Sequence, residues 1–118
     1  MNLLPLSRRA CLGAALLLSL SQAPVLAQSA PRVKLATSAG DIVLELAPAQ
    51  APKTVANFLQ YVQDRHYGGT VFHRVIDGCM IQGGGFTSDR AHKPTKQPIK
   101  NEASNGVQNR RGTLAMAR

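Results

Sequence analysis

The run Thr70-Val71-Phe72-His73-Arg74-Val75-Ile76, then Asp77-Gly78, then Cys79-Met80-Ile81-Gln82, leaves this chain few ways to fold. β-branched and aromatic residues fill the first run, and Asp-Gly is a two-residue connection of the kind that joins antiparallel strands. The stretch therefore predicts a β-hairpin whose returning strand ends at Gly83-Gly84-Gly85, where the backbone is free to approach a neighbour closely. A second hairpin is expected upstream. Val33, Leu35 and Thr37 alternate weakly, and Ser38-Ala39-Gly40-Asp41 carries a turn signal. Beyond it Ile42, Leu44 and Leu46 fall on one face, with Asp41, Val43 and Glu45 on the other. Between the hairpins, Pro52 suits the first turn of a helix. Val55, Phe58, Leu59 and Val62 then follow a one-sided helical spacing, which predicts a helix from about Lys53 to Asp64.

The remainder is less patterned. Residues 86–111 form a long polar connection of the kind that is either functional or disordered. Residues 112–118 read as the start of a further strand. The chain is thus mainly β, and its 118 residues hold at most one small domain. Aromatic residues make up 4% and Trp is absent, which is thin for a complete core. One helix and about five strands leave open edges and half a core. The expectation is that the chain is the front part of a longer domain.

The first 27 residues read as an address. Arg8 and Arg9 precede the apolar stretch from Ala10 to Leu20, and Val25 and Ala27 are small residues suited to cleavage before Gln28. The stretch is too short for a membrane span, so no stable membrane insertion is expected after cleavage. Ser7-Arg8-Arg9 hints at a twin-arginine signal, but the general secretory route is favoured. This places the product in the periplasm or outside the cell. Residues 28–32 are a short polar linker, and the domain occupies 33–118. Cys79 is then the one remaining cysteine, which excludes an internal disulfide. His66 and His92 show no metal-ligand spacing, and the triple glycine lacks the Lys-Ser/Thr pair of a phosphate loop. No metal or cofactor is expected. The basic stretch from Arg90 to Arg111 has no interleaved aromatics, which argues against nucleic acid and favours a solvated loop.

On the hairpin, alternation puts Arg74 and Gln82 on one face, and Met80 shares it with Gln82. A forked guanidinium, an amide and a soft thioether together suit an apolar ligand that bears a carbonyl. The same residues also fit a solvated barrel exterior. His73 points the opposite way and reads as a structural, hydrogen-bonding histidine.

Phe72-His73-Arg74-Val75-Ile76 with Gly78 and Met80-Ile81-Gln82-Gly83-Gly84 resembles the signature of cyclophilin-type peptidyl-prolyl isomerases, most of all the exported bacterial members. The likeness extends to Gly40-Asp41-Ile42, to Ala51-Pro52-Lys53-Thr54-Val55-Ala56-Asn57-Phe58, to Ile99-Lys100-Asn101-Glu102, and to Gly112-Thr113-Leu114-Ala115-Met116-Ala117-Arg118. It implies the first half of a closed, eight-stranded antiparallel β-barrel with one capping helix. It further implies acceleration of X–Pro isomerisation during folding of exported proteins. The implied partners are proline-containing peptides and unfolded exported chains, with a monomer as the complete form. By the same resemblance Arg74 is the catalytic residue, Gln82 holds a substrate carbonyl, Met80 lines the proline pocket and Ala117 sits on its rim. Cys79 stands where the family usually has Phe, which implies a weaker grip on the proline ring. The family's second-half pocket residues are missing, so the chain by itself is expected to be inactive. The competing reading is a non-enzymatic proline-peptide-binding or chaperone module.

Overall fold

The computed structural model describes residues 29–117. The signal-peptide reading of residues 1–27 lies outside them. Two antiparallel hairpins flank one helix. The first pairs β1 (Arg32–Thr37) with β2 (Gly40–Glu45), and the second pairs β3 (Thr70–Ile76) with β4 (Met80–Thr87). Helix α1 runs over Pro52–Gln63, with a proline in its first turn as the missing N–H allows.

The β1–β2 register sets Val33 opposite Leu44 and Leu35 opposite Ile42, which gathers the alternating apolar residues on one face. The core sits between that face and α1. It consists of Val33, Leu46, Val55 and Phe58, with Leu35, Leu44, Leu59, Val62 and Tyr67 packed around it. Lys34–Asp41 and Arg32–Glu45 ion pairs lie across the other face at 3.0 and 2.8 Å. Both are exposed, so they guide register more than they stabilise.

Helix α1 ends in a Schellman arrangement. Arg65 N–H donates to the Val62 carbonyl and His66 N–H to the Tyr61 carbonyl, both at 3.0 Å. Arg65 adopts φ 55°, a left-handed conformation more often given to Gly or Asn.

The long connection after β4 is an ordered strap rather than a loose loop. Thr87 N–H donates to the Ala91 carbonyl at 3.0 Å and Lys93 N–H to the Gly85 carbonyl at 2.9 Å, which turns the chain back on itself. At the C-terminal end of α1, Lys93 Nζ donates to the His66 carbonyl, and also to the Gly68 carbonyl at 3.2 Å. There Lys96 N–H donates to the Tyr61 hydroxyl at 2.6 Å, and Lys96 Nζ pairs with Asp64. These contacts bury Tyr61, a residue that the apolar spacing of α1 alone does not single out.

At the other end of α1 the strap supplies a cap. Ala51 precedes the helix and has no side chain able to accept a hydrogen bond. Glu102 takes the role from 48 residues away. Its Oε2 accepts from Thr54 N–H at 2.8 Å and Thr54 Oγ1 at 2.9 Å, and its Oε1 accepts from Lys53 N–H at 3.1 Å. A carboxylate here satisfies orphan donors and faces the positive end of the helix dipole. Asn105 Nδ2 adds a bond to the Gln50 carbonyl at 3.2 Å.

The Thr54 amide, more than any other group, holds the Glu102 carboxyl below its ordinary range. A carboxyl with a lowered folded pKa stabilises the fold above the unfolded pKa of roughly 4.3, and loses that effect as pH falls through the folded value. Glu102→Ala is expected to lower the melting temperature at pH 7, with the gap to the parent protein closing as pH falls below the carboxylate range. Melts that stay parallel at every pH would rule out the charge-assisted cap.

Two expectations are corrected. Gly83-Gly84-Gly85 does not end β4, which runs through all three to Thr87. The reason is a pair of register shifts, described below. Residues 112–117 form no strand: Thr113 closes a turn on Arg110, with its N–H donating to the Arg110 carbonyl at 3.1 Å.

Candidate functional site

The site face is set by the β3–β4 register. Arg74 lies directly opposite Gln82, Val75 opposite Ile81, and Ile76 opposite Met80. Cross-strand partners share a face, and residues two apart along a strand share it too. Arg74, Gln82, Ile76 and Met80 therefore occupy one side of the hairpin, while Val75 and Ile81 occupy the other. Directly opposed Cβ atoms stand about 4.5–5.5 Å apart, close enough for a guanidinium and an amide to address one ligand.

A bulge aims Arg74. Phe72 pairs with Gly83 and Arg74 with Gln82, so His73 is an extra residue on β3. Between Thr70 and Phe72 the excess moves to β4, which carries Gly84, Gly85 and Phe86 within the gap from Gly83 to Thr87. Gly83 meets Phe72 so closely that a Cβ there would stand 2.7 Å from Phe72 Cδ1. The close approach expected of the triple glycine is thus to the partner strand. The His73 ring packs against Phe86 at 4.6 Å between centroids, and Phe86 against His92 at 5.0 Å. No side-chain hydrogen bond engages His73 among the described residues.

Arg74 is exposed, and no ion pair or side-chain hydrogen bond holds its guanidinium among the described residues. Met80 and Gln82 are half-buried. Cys79 closes the turn at the hairpin tip and its thiol is exposed. The turn thus spans Asp77, Gly78 and Cys79, and β4 starts at Met80 rather than Cys79. Ala117 is exposed and outside any strand or helix, and no hydrogen bond among the described residues ties residues 112–117 to the hairpin. The hairpin thus brings together Arg74, Met80 and Gln82, with Cys79 beside them at the tip. Ala117 is not joined to them by any element.

Tyr67 supports the hairpin from beneath. Its ring lies 5.4 Å from Phe58 and 3.0 Å from where a Cβ on Gly84 would stand. Burial raises its phenol pKa, with a further push from Tyr61. This bridge from helix core to site strand escaped the sequence reading, because a lone Tyr after a helix carries no periodic signal.

Residues 32–118 match the family described as cyclophilin type peptidyl-prolyl cis-trans isomerase/CLD. The chain belongs to the cyclophilin family. Over 86 residues, cyclophilin similarity reaches 64% identity with peptidyl-prolyl cis-trans isomerase cyp18 of Streptomyces antibioticus, covering 73% of this chain and 52% of that protein. Peptidyl-prolyl cis-trans isomerase A of Dickeya dadantii is 54% identical over 92 residues, covering 78% of this chain and 48% of the relative. Peptidyl-prolyl cis-trans isomerase B of Escherichia coli is 58% identical over 82 residues, covering 70% and 50%. The chain therefore spans about half the length of the curated relatives it matches. The Arg74–Gln82 hairpin lies inside the cyclophilin match.

Proposed function

We propose that this chain carries the catalytic hairpin of a peptidyl-prolyl cis-trans isomerase that acts on exported proteins. The observation that carries the reading is the register pair Arg74–Gln82, with Met80 on the same face, inside a cyclophilin match. Rotation about a peptide bond faces a barrier of about 18–20 kcal/mol, which arises from donation of the nitrogen lone pair into the carbonyl. As an X–Pro bond twists, the lone pair localises on nitrogen. A guanidinium N–H aimed at that atom binds the twisted state more tightly than either planar isomer. Among the described residues Arg74 has no competing acid partner, which leaves it available for this task. Gln82 fixes a substrate backbone carbonyl, and Met80 with Cys79 forms part of the wall against the proline ring. No proton moves and no covalent bond to the enzyme forms.

The complete domain is read as a closed eight-stranded antiparallel barrel, monomeric in solution. The exposed Val75, Ile81, Phe72 and Leu114 support that reading, as apolar surface that further strands would cover. A polypeptide limited to these residues is inactive on this view, because one hairpin face offers an open surface instead of a pocket. Export follows from the Arg8-Arg9 leader and the small residues at Val25 and Ala27.

One experiment addresses these readings together. The complete protein is purified from the periplasmic fraction, its N-terminus is sequenced, and cis–trans exchange of a proline tetrapeptide is followed with and without it. A start at Gln28 and accelerated exchange are expected. A leader still attached defeats the export reading, and exchange at the uncatalysed rate defeats the isomerase.

A further inference from the structure

The charge of this chain is unevenly placed. Residues 29–89 hold five Lys or Arg against five Asp or Glu, whereas residues 90–117 hold six against one. That single acid, Glu102, is consumed as the cap of α1. The whole positive excess of the described chain therefore lies in the strap that clasps α1, and two open depressions mark its ends. One, of about 390 Å³, is lined by Tyr61, Asp64, Arg65, His66, Lys93 and Lys96 among others. The other, of about 310 Å³, is lined by Gln50, Lys53, Lys100, Asn101, Ser104 and the capping Glu102, whose carboxylate is turned onto the first amides of α1. Arg65, Lys53 and Lys100 are exposed and form no ion pair among the described residues.

We propose that these two basic depressions together form a docking surface for an acidic segment of polypeptide. The occupant is argued from three features. Residues 90–117 contain no Phe, Tyr or Trp, so the strap offers no platform for base stacking. Its backbone is irregular and lacks an amphipathic helix to lie in a membrane surface. Strap and helix together set cations at both ends of a twelve-residue helix, Arg65, Lys93 and Lys96 at one and Lys53 and Lys100 at the other, a separation of about 18 Å at 1.5 Å per residue. An extended polypeptide advances about 3.3 Å per residue, so about six residues bridge the two ends. The surface rests on the isomerase reading only in that polypeptide is the substrate class. Seated here, an acidic stretch raises the local concentration of its own chain beside the hairpin.

The test is direct binding, which needs no catalysis. A fluorescein-labelled octapeptide of alternating Glu and Ser, without proline, is titrated against the complete protein at low salt by anisotropy. A Glu tripeptide, a Lys/Ser octapeptide and a single-stranded oligonucleotide of equal charge are titrated alongside. The Glu/Ser octapeptide is expected to bind about tenfold more tightly than the tripeptide, and to weaken steeply as salt rises. Lys53→Gln with Lys100→Gln removes one end, and Arg65→Asn the other, with Asn chosen because it tolerates the left-handed backbone. Each is expected to lower the affinity several-fold, and their combination to abolish it, at an unchanged melting temperature. Equal binding of tripeptide and octapeptide, indifference to the substitutions, or tighter binding of the oligonucleotide would overturn the proposal. Binding as expected in a protein that does not accelerate proline exchange would uphold the docking surface while defeating the isomerase.

Discussion

Arg74→Ala in the complete protein is expected to lower kcat/KM for a proline peptide by about 10²–10³-fold, the cost of removing one preorganised donor from a transition state. The loss is expected to fall on kcat, because in the proposed mechanism the guanidinium meets the prolyl nitrogen only once the bond is twisted. Gln82 and the apolar wall are the proposed holders of the ground-state peptide, so its binding is expected to change far less. This asymmetry separates an isomerase from a module that only binds proline segments. A loss confined to KM, with kcat unchanged, would make Arg74 a ground-state contact. Folding is not at stake, since Arg74 is exposed and its side chain makes no hydrogen bond among the described residues. Lysine is a poor substitute: it keeps the charge but loses the planar fork that fixes the donor in place.

Gly84→Ala is expected to destabilise the protein by about 2–3 kcal/mol, through two costs acting at once. Gly84 has φ 96°, where an L side chain is strained, and its added Cβ would stand 3.0 Å from two atoms of the Tyr67 ring. That ring has little room to retreat, because Phe58 and Tyr61 pack against it at 5.4 and 6.1 Å between centroids. The damage is therefore shared between the β4 bulge and the helix core. Activity measured below the melting temperature should also fall, because the bulges that set Arg74 opposite Gln82 depend on the same backbone path. Urea denaturation with Arg74→Ala as a stable control checks both effects. A Gly84→Ala protein of unchanged stability would mean that the bulge is not rigid.

Both hairpins, the helix and the Arg74–Met80–Gln82 face are legible in the sequence. Each is a local matter: alternation fixes which residues share a strand face, a turn dipeptide locates the reversal, and 3.6-residue spacing marks the helix. Even so, alternation alone describes the hairpin as regular. Which residue is bulged depends on how Phe72 and Gly83 fit together across strands, and no single-strand pattern reports that. The triple glycine illustrates the difference. Read along the chain it looks like a terminator, yet in the fold it is the middle of β4, where Phe72 crowds Gly83 and Tyr67 crowds Gly84.

The sequence by itself determined the local elements, the residues of the site face and the family, because these follow from neighbours in the chain. Tertiary structure alone decided the role of the polar stretch after β4. It is a strap that caps α1 with Glu102 and braces Tyr61 through Lys96, across separations of 48 and 35 residues. Contacts of that span bring together groups with no shared periodicity. The same folding back carries scattered lysines to the two ends of one helix and turns an ordinary basic loop into a surface with a defined length.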